Sequence, residues 1–288
     1  MSLAIPPGAV DCHVHIVGPL SRFPQEPTRH YTCAEATLPM LQATAGAVRR
    51  FVVVQPSFYG TDNEATLQAC DTLTGNGRAV AVVDPARVDD AMARQLQARG
   101  VAGLRINLNS RLKGDHRQVQ GVLAQHAALA QRMGWHLQLV VPFSALLGAA
   151  QLIEPLQVPV VIDHFGLPLG KAANSGEAHA LRDMVAMPHV WVKLSAPYRL
   201  GLGERNTTTP RDWAALLLEA APDRCLWGSD WPHVPPVSEQ RGPDSTPPNR
   251  PLSYAELIGD FIIAVGNADL VRRVLVENPQ RLYGFSPV

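Results

Sequence analysis

Charged side chains are scarce in this 288-residue chain, at 17% of positions, and 25 Lys and Arg residues are matched by 25 Asp and Glu. A formal net charge of zero leaves no overall field to draw the protein onto nucleic acid or an anionic lipid surface, so any charge preference has to be local. Cysteine is rarer still. Cys12, Cys33, Cys70 and Cys225 are scattered without a CxxC pair, so neither a zinc knuckle nor a disulfide framework is indicated. Cys12 and Cys225 fall inside apolar runs and read as small buried hydrophobes rather than nucleophiles. No stretch approaches the roughly 18 uninterrupted apolar residues of a membrane span, and the opening MSLAIPPGAV has neither a basic leader nor an apolar core. The expectation is a cytoplasmic protein with no membrane or nucleic-acid partner. Gly-rich phosphate turns are missing too: neither GxGxxG nor GxxxxGK[ST] occurs.

What the chain does have is apolar residues, 46% of the total, enough to bury a large core. They gather in eight short runs: 9–17, 50–56, 79–85, 101–108, 136–141, 159–166, 190–195 and 224–230. Longer stretches with helical spacing lie between most of them, as at 89–100, 120–134 and 210–221. Alternating strand and helix implies a mostly parallel sheet, and eight such units match a (β/α)8 TIM barrel in count and length. No composition shift, low-complexity tract or internal repeat marks a boundary, so a single domain over 1–288 is expected. Two segments, 18–32 after the first strand and 232–251 after the eighth, are too rich in Pro, Gly and Ser for regular structure. Both belong at the same rim, as lids or binding loops.

The first run reads Asp11-Cys12-His13-Val14-His15. Strand side chains alternate, so His13 and His15 share a face, which is the barrel interior if Val10, Val14 and Ile16 pack outward. Two imidazoles buried on one face are desolvated twice, which favours ligands or acid-base groups over core residues. His164 ends the sixth run and Asp230 the eighth, and strand C-termini form the catalytic face of such barrels. Singly, His164 reads equally well as a loop hydrogen-bonder and Asp230 as a helix cap; together with His13 and His15 they form a three-histidine, one-carboxylate cluster. Arg105 shares the parity of Asn107 and points inward, with Arg111 just beyond it and Arg199 after the seventh strand. Against the alternatives of a buried salt bridge or solvated charge, two or more guanidinium forks at the mouth suit a small polyanion. Tyr31, Ser57, Tyr59, Thr61 and Asn63 stand ready in the loops for neutral hydrogen bonds. His233 either orients the site or caps a segment, and Lys193, of the same parity as Ser195, is an inward ion-pair partner without an assigned reaction role. The remaining loop and helix histidines, His30, His116, His126, His179 and His189, read as exposed and idle.

HxH on strand one, His on strand six and Asp on strand eight resemble the amidohydrolase superfamily. The wording DCHVHIVGPLSRFP, VQPSFYGTDN, LRINL, DHFG and WGSDWPH is similar to its 2-pyrone-4,6-dicarboxylate lactonase group over nearly the whole length. That resemblance implies metal-free hydrolysis of a small anionic lactone, with Asp230 as general base, His13, His15 and His164 around the carbonyl, Arg105, Arg111 and Arg199 on the substrate carboxylates, and Tyr31 and Ser57 as further contacts. Metal-dependent members add a histidine at the end of strand five and often a lysine or glutamate on strand four. This chain has Arg105 and Asn107 on strand four, and its strand five ends LVVP, with His136 at the opposite end. The lactonase group's strand-five tyrosine is also absent, Gln138 and Val140 standing there, so a related lactone stays open as substrate. A single zinc ion on His13, His15, His164 and Asp230, in a hydrolase or decarboxylase, is the rival reading. A non-catalytic anion-binding barrel is the third.

Overall fold

Each apolar run contributes a strand to the computed structural model, which describes residues 4–108, 116–202 and 208–287. The strands are β1 (Val10–Val14), β2 (Arg50–Val54), β3 (Gly77–Ala81), β4 (Val101–Asn107), β5 (His136–Val140), β6 (Val160–Ile162), β7 (Val190–Ser195) and β8 (Cys225–Gly228). Neighbours pair in parallel, and their spatial order is chain order. The anticipated helices form at Asp90–Ala98, His116–Met133 and Pro210–Ala220, the last started by a reciprocal cap between Thr209 and Asp212.

Between β8 and β1 the ladder is replaced by individual bonds. The Asp230 amide donates to the His13 carbonyl (2.9 Å) and the His15 amide to the Trp231 carbonyl (2.8 Å). Asp11 fills the seam, its Oδ1 accepting from the amides of His13 and Ser229, each at 3.0 Å. These contacts join the two ends of the sheet into a single (β/α)8 barrel. Gly228 is required at this seam, because a Cβ there would lie 2.6 Å from that of His13.

Most apolar side chains pack between the strands and the helices. A smaller cluster, Val10, Cys12, Val52, Val54, Val80, Val161, Trp191 and Leu226, draws on six strands from all round the sheet and therefore fills the interior. Tyr283 and Phe285 close it at the N-terminal end of the strands. The expected outward placement of Val14 and Ile16 holds, but Val10 packs inside. The register of β1 against β2 shifts between Asp11 and Val14, and this bulge reverses the alternation so that Cys12 and His13 both reach the interior.

The two Pro-rich loops do share a rim, and they are laced together. Thr32 N–H donates to the Ser245 carbonyl (2.8 Å), Gly242 N–H to the His30 carbonyl (2.7 Å), and Arg29 Nη2 to the Pro243 carbonyl (3.1 Å). They roof the C-terminal ends of the strands.

Candidate active site

Beneath that roof the structure brings His13, His15, His164 and Asp230 together, all buried. Their Nε2 atoms lie 3.6, 3.5 and 3.9 Å from one oxygen, Asp230 Oδ1. The other oxygen, Oδ2, accepts from the Tyr198 hydroxyl (2.7 Å) and Arg199 Nε (2.9 Å). Asp230 Oδ1 and His13 Nε2 have no hydrogen-bond partner among the described residues. Burial alone would raise the Asp230 carboxyl, but Arg199 and the surrounding imidazoles hold it well below the usual carboxylate range. Burial lowers His13 well below an ordinary imidazole and His164 to about 4, so both are neutral at pH 7.

The partners on the far side of each ring decide what its Nε2 offers. His15 Nδ1 faces the Val54 carbonyl at 2.7 Å, which only accepts; Nδ1 therefore carries a proton, and in the neutral ring Nε2 presents a lone pair. His164 Nδ1 faces the Ser195 hydroxyl at 2.9 Å, which can donate, leaving Nε2 free to carry a proton. The centre thus combines acceptors with one imidazole able to donate. Such acceptors are satisfied by a doubly donating water or by a cation, and the donor set fits a metal: one ligand atom each from His13, His15 and Asp230 lies within 4.8 Å of the others.

Arg105 is buried, with Nη1 donating to the Gln55 carbonyl (2.8 Å), Nη2 3.9 Å from Asp163 Oδ2 and Nε without a partner among the described residues. Arg199 reaches from Asp230 toward the mouth. Tyr31 is buried in the roof, where it feels the charges of Arg199 and Asp230. Ser57 opens the turn after β2 with its side chain exposed. Tyr59 and Asn63 are occupied elsewhere, Tyr59 by the Gly18 amide and Asn63 by backbone at Thr61 and Val82. Arg111 lies outside the described residues. His126, expected to be exposed, is buried, its Nδ1 donating to the Val122 carbonyl.

Three groups escaped the sequence reading. Tyr198 and Ser195 are ordinary loop and strand residues by type, and nothing in their spacing marks them. Asp163 was hidden because neighbours in a strand point oppositely, yet Asp163 and His164 both reach the centre. His164 achieves this with φ of 52°. Six of the seven described non-glycine residues with positive φ follow β6, β7 or β8, Asp230 (59°) and Ala196 (51°) among them, which concentrates backbone strain at this face. A wide depression at the opposite end of the barrel carries no such cluster among the described residues. Its Arg99 is paired with Glu64 and Asp71, and its Arg78 with the carbonyls of Tyr283 and Gly284.

Among characterised proteins, a 2-pyrone-4,6-dicarboxylate hydrolase of Comamonas testosteroni is 35% identical over 97% of this chain and 91% of its own length. A 4-sulfomuconolactone hydrolase of Rhizobium radiobacter is 32% identical over 99% of this chain and 92% of its own. The crystal structure of a probable 2-pyrone-4,6-dicarboxylic acid hydrolase from Acinetobacter baumannii, with citric acid bound, superposes with a TM-score of 0.78 at 26% identity, covering 96% of this chain and all of that one. The amidohydrolase family profile matches residues 10–285, and with this span and these relatives the chain belongs to the amidohydrolase family.

Proposed function

We propose that this protein hydrolyses the ring ester of a small lactone carrying two or more acidic groups, of the 2-pyrone-4,6-dicarboxylate or sulfomuconolactone kind, with Asp230 as general base. The observation that carries this reading is the division of Asp230. Oδ2 is fixed by Arg199 and Tyr198, while Oδ1 faces three imidazoles without a donor of its own. A water held there gives one hydrogen to Oδ1 and the other to the lone pair of His15. As its oxygen bonds to the lactone carbonyl carbon, Asp230 takes the proton. His164 Nε2–H donates to the carbonyl oxygen as negative charge develops, a contact worth on the order of 3–4 kcal/mol in a preorganised site. Collapse of that oxyanion breaks the ring C–O bond, and the leaving oxygen recovers the proton from Asp230.

Arg105 and Arg199 bind the acidic groups of the ring, with Tyr31 adding to the same wall, Ser57 lying at its edge and Arg111 assigned by its sequence as a further contact to the acidic groups, so that remote binding energy fixes the carbonyl over the water. The citric acid bound by the Acinetobacter relative is a small polyanion, which supports a ligand of that class. We place the reaction on the chain's own groups because the buried cations Arg105 and Lys193, together with the partly exposed Arg199, already outnumber the carboxylates Asp163 and Asp230 at the centre, before any metal is added. The converging imidazole lone pairs favour a second reading. One zinc ion, when bound by His13, His15 and Asp230, whose ligand atoms lie close together, with His164 beside them as the fourth ligand of this reading, would supply Lewis-acid polarisation of the carbonyl and the water. A spectrophotometric assay with a panel of carboxylated and sulfonated lactones, on chelated and zinc-supplemented enzyme, tests both. Turnover surviving chelation supports the first reading, turnover that returns only with zinc the second, and no ring opening with any lactone overturns both.

A further inference from the structure

Below the reacting centre lies a second polar cluster that the proposed reaction does not use. Lys193, on β7, is fully buried, and its Nζ donates to Gln138 Oε1 on β5 at 2.7 Å. Gln138 Nε2 donates in turn to Asp163 Oδ2 at 2.9 Å. Asp163 Oδ1 has no hydrogen-bond partner among the described residues, and lies 3.3 Å from His13 Nδ1 and 3.6 Å from Lys193 Nζ.

An ammonium only donates, and that sets the direction of the whole chain. Because Lys193 points a hydrogen at the Gln138 oxygen, the Gln138 amide nitrogen must face Asp163. Asp163 then receives one hydrogen on Oδ2 and needs another on Oδ1, and the His13 ring is the nearest group there. We propose that Lys193 is a positioning residue: acting through Gln138 and Asp163, it holds the His13 proton on Nδ1 and so turns the Nε2 lone pair toward Asp230 and the reacting centre. The arrangement gives His13 the same polarity that the Val54 carbonyl imposes on His15, and makes both acceptors for the attacking water. A carboxylate behind a histidine is the usual means of fixing its tautomer; here the carboxylate is itself oriented by a buried cation two residues removed. One contact competes. Lys193 Nζ is also 3.4 Å from His13 Nδ1, and a hydrogen donated along that line would put the ring proton on Nε2 instead.

The inference rests on His13 standing at the reacting centre, but a tautomer can be read without knowing the substrate. Metal-stripped enzyme labelled with 15N-histidine, its ten imidazoles assigned by single His→Gln variants, reports it through two-bond proton–nitrogen correlations. The expected result is a protonated Nδ1 and a bare Nε2 for His13; a proton on Nε2 in the wild type overturns the proposal, whichever lactone is turned over. Asp163→Asn should reverse the tautomer, since Gln138 would select the amide oxygen and leave the new NH2 facing His13 Nδ1. Lys193→Met should mix the tautomers and lower kcat by about 10–100-fold, the usual effect of losing such a supporting group, with KM changed less than about threefold. An unmoved His13 tautomer in a folded Lys193→Met or Asp163→Asn protein would show that the chain sets nothing, and if neither folds the wild-type spectrum alone decides.

Discussion

Asp230→Asn is the most informative single change, because the surroundings dictate how the new amide must sit. Arg199 Nε and the Tyr198 hydroxyl both donate toward Oδ2, so the amide oxygen stays on that side. The NH2 group then takes the place of Oδ1, 3.5 and 3.6 Å from the Nε2 atoms of His15 and His13, and donates where the water should. The variant loses the proton acceptor and blocks the nucleophile's place together. General-base catalysis is worth about 10²–10⁴-fold, so kcat should fall by at least about 10³-fold, close to 4 kcal/mol of transition-state stabilisation. Arg105 is untouched, while Arg199 exchanges a carboxylate for an amide oxygen and so meets an incoming anion with more net positive charge; calorimetric binding of citrate, used as a small polyanionic probe, should be no weaker than in wild type. Initial rates of ring opening, followed by loss of lactone absorbance, measure the first quantity. A folded variant that turns over within about tenfold of wild type would remove Asp230 from the mechanism and with it the assignment of the site.

Asp11 titrates in the opposite sense to Asp230, its burial pushing the carboxyl up from 3.8 to about 6. Its folded-state value lies above the unfolded one, so the contribution of Asp11 to stability is greatest below pH 4 and declines through the window from 3.8 to about 6, by roughly 3 kcal/mol for a shift of about two units. Asp11→Asn keeps the acceptor for the His13 and Ser229 amides. Denaturant melts at pH 4 and pH 7 should show the wild-type-minus-variant difference changing by about that amount, and an unchanged difference would refute the assignment. Arg105→Met should raise KM for a doubly acidic lactone by about 10–150-fold, the value of a charge-assisted hydrogen bond of ~1.5–3 kcal/mol, while leaving a mono-acid analogue nearly unaffected; equal losses on both would rule out a carboxylate contact. Ser195→Ala deprives His164 of the donor that keeps its proton on Nε2, and kcat should drop about tenfold at constant KM; full activity would exclude His164 as the oxyanion donor.

The barrel was legible because its signal is periodic and repeated eight times: runs of Val, Ile and Leu separated by amphipathic helices permit few other closures. The meeting of His13, His15, His164 and Asp230 followed from a rule of place, that strand C-termini share one face. Period-two alternation, by contrast, carries no information about its own interruptions. The shift of register in β1 put Val10 inside, and the left-handed backbone at His164 put Asp163 beside it. Polar groups that act on other polar groups were the hardest to see. Lys193 was recognisable as inward by parity, but its hold on Gln138 and Asp163 exists only once three strands lie side by side.

The lacing of the loops after β1 and β8 has a consequence for the protein's birth on the ribosome. The roof is stitched from residues near 30 and near 243, and the carboxylate it covers, the proposed base, is Asp230. A nascent chain that has already made the histidine pair therefore holds neither the proposed base nor its cover until residues 230–245 emerge, so ring opening by this route would switch on only once both loops are in place.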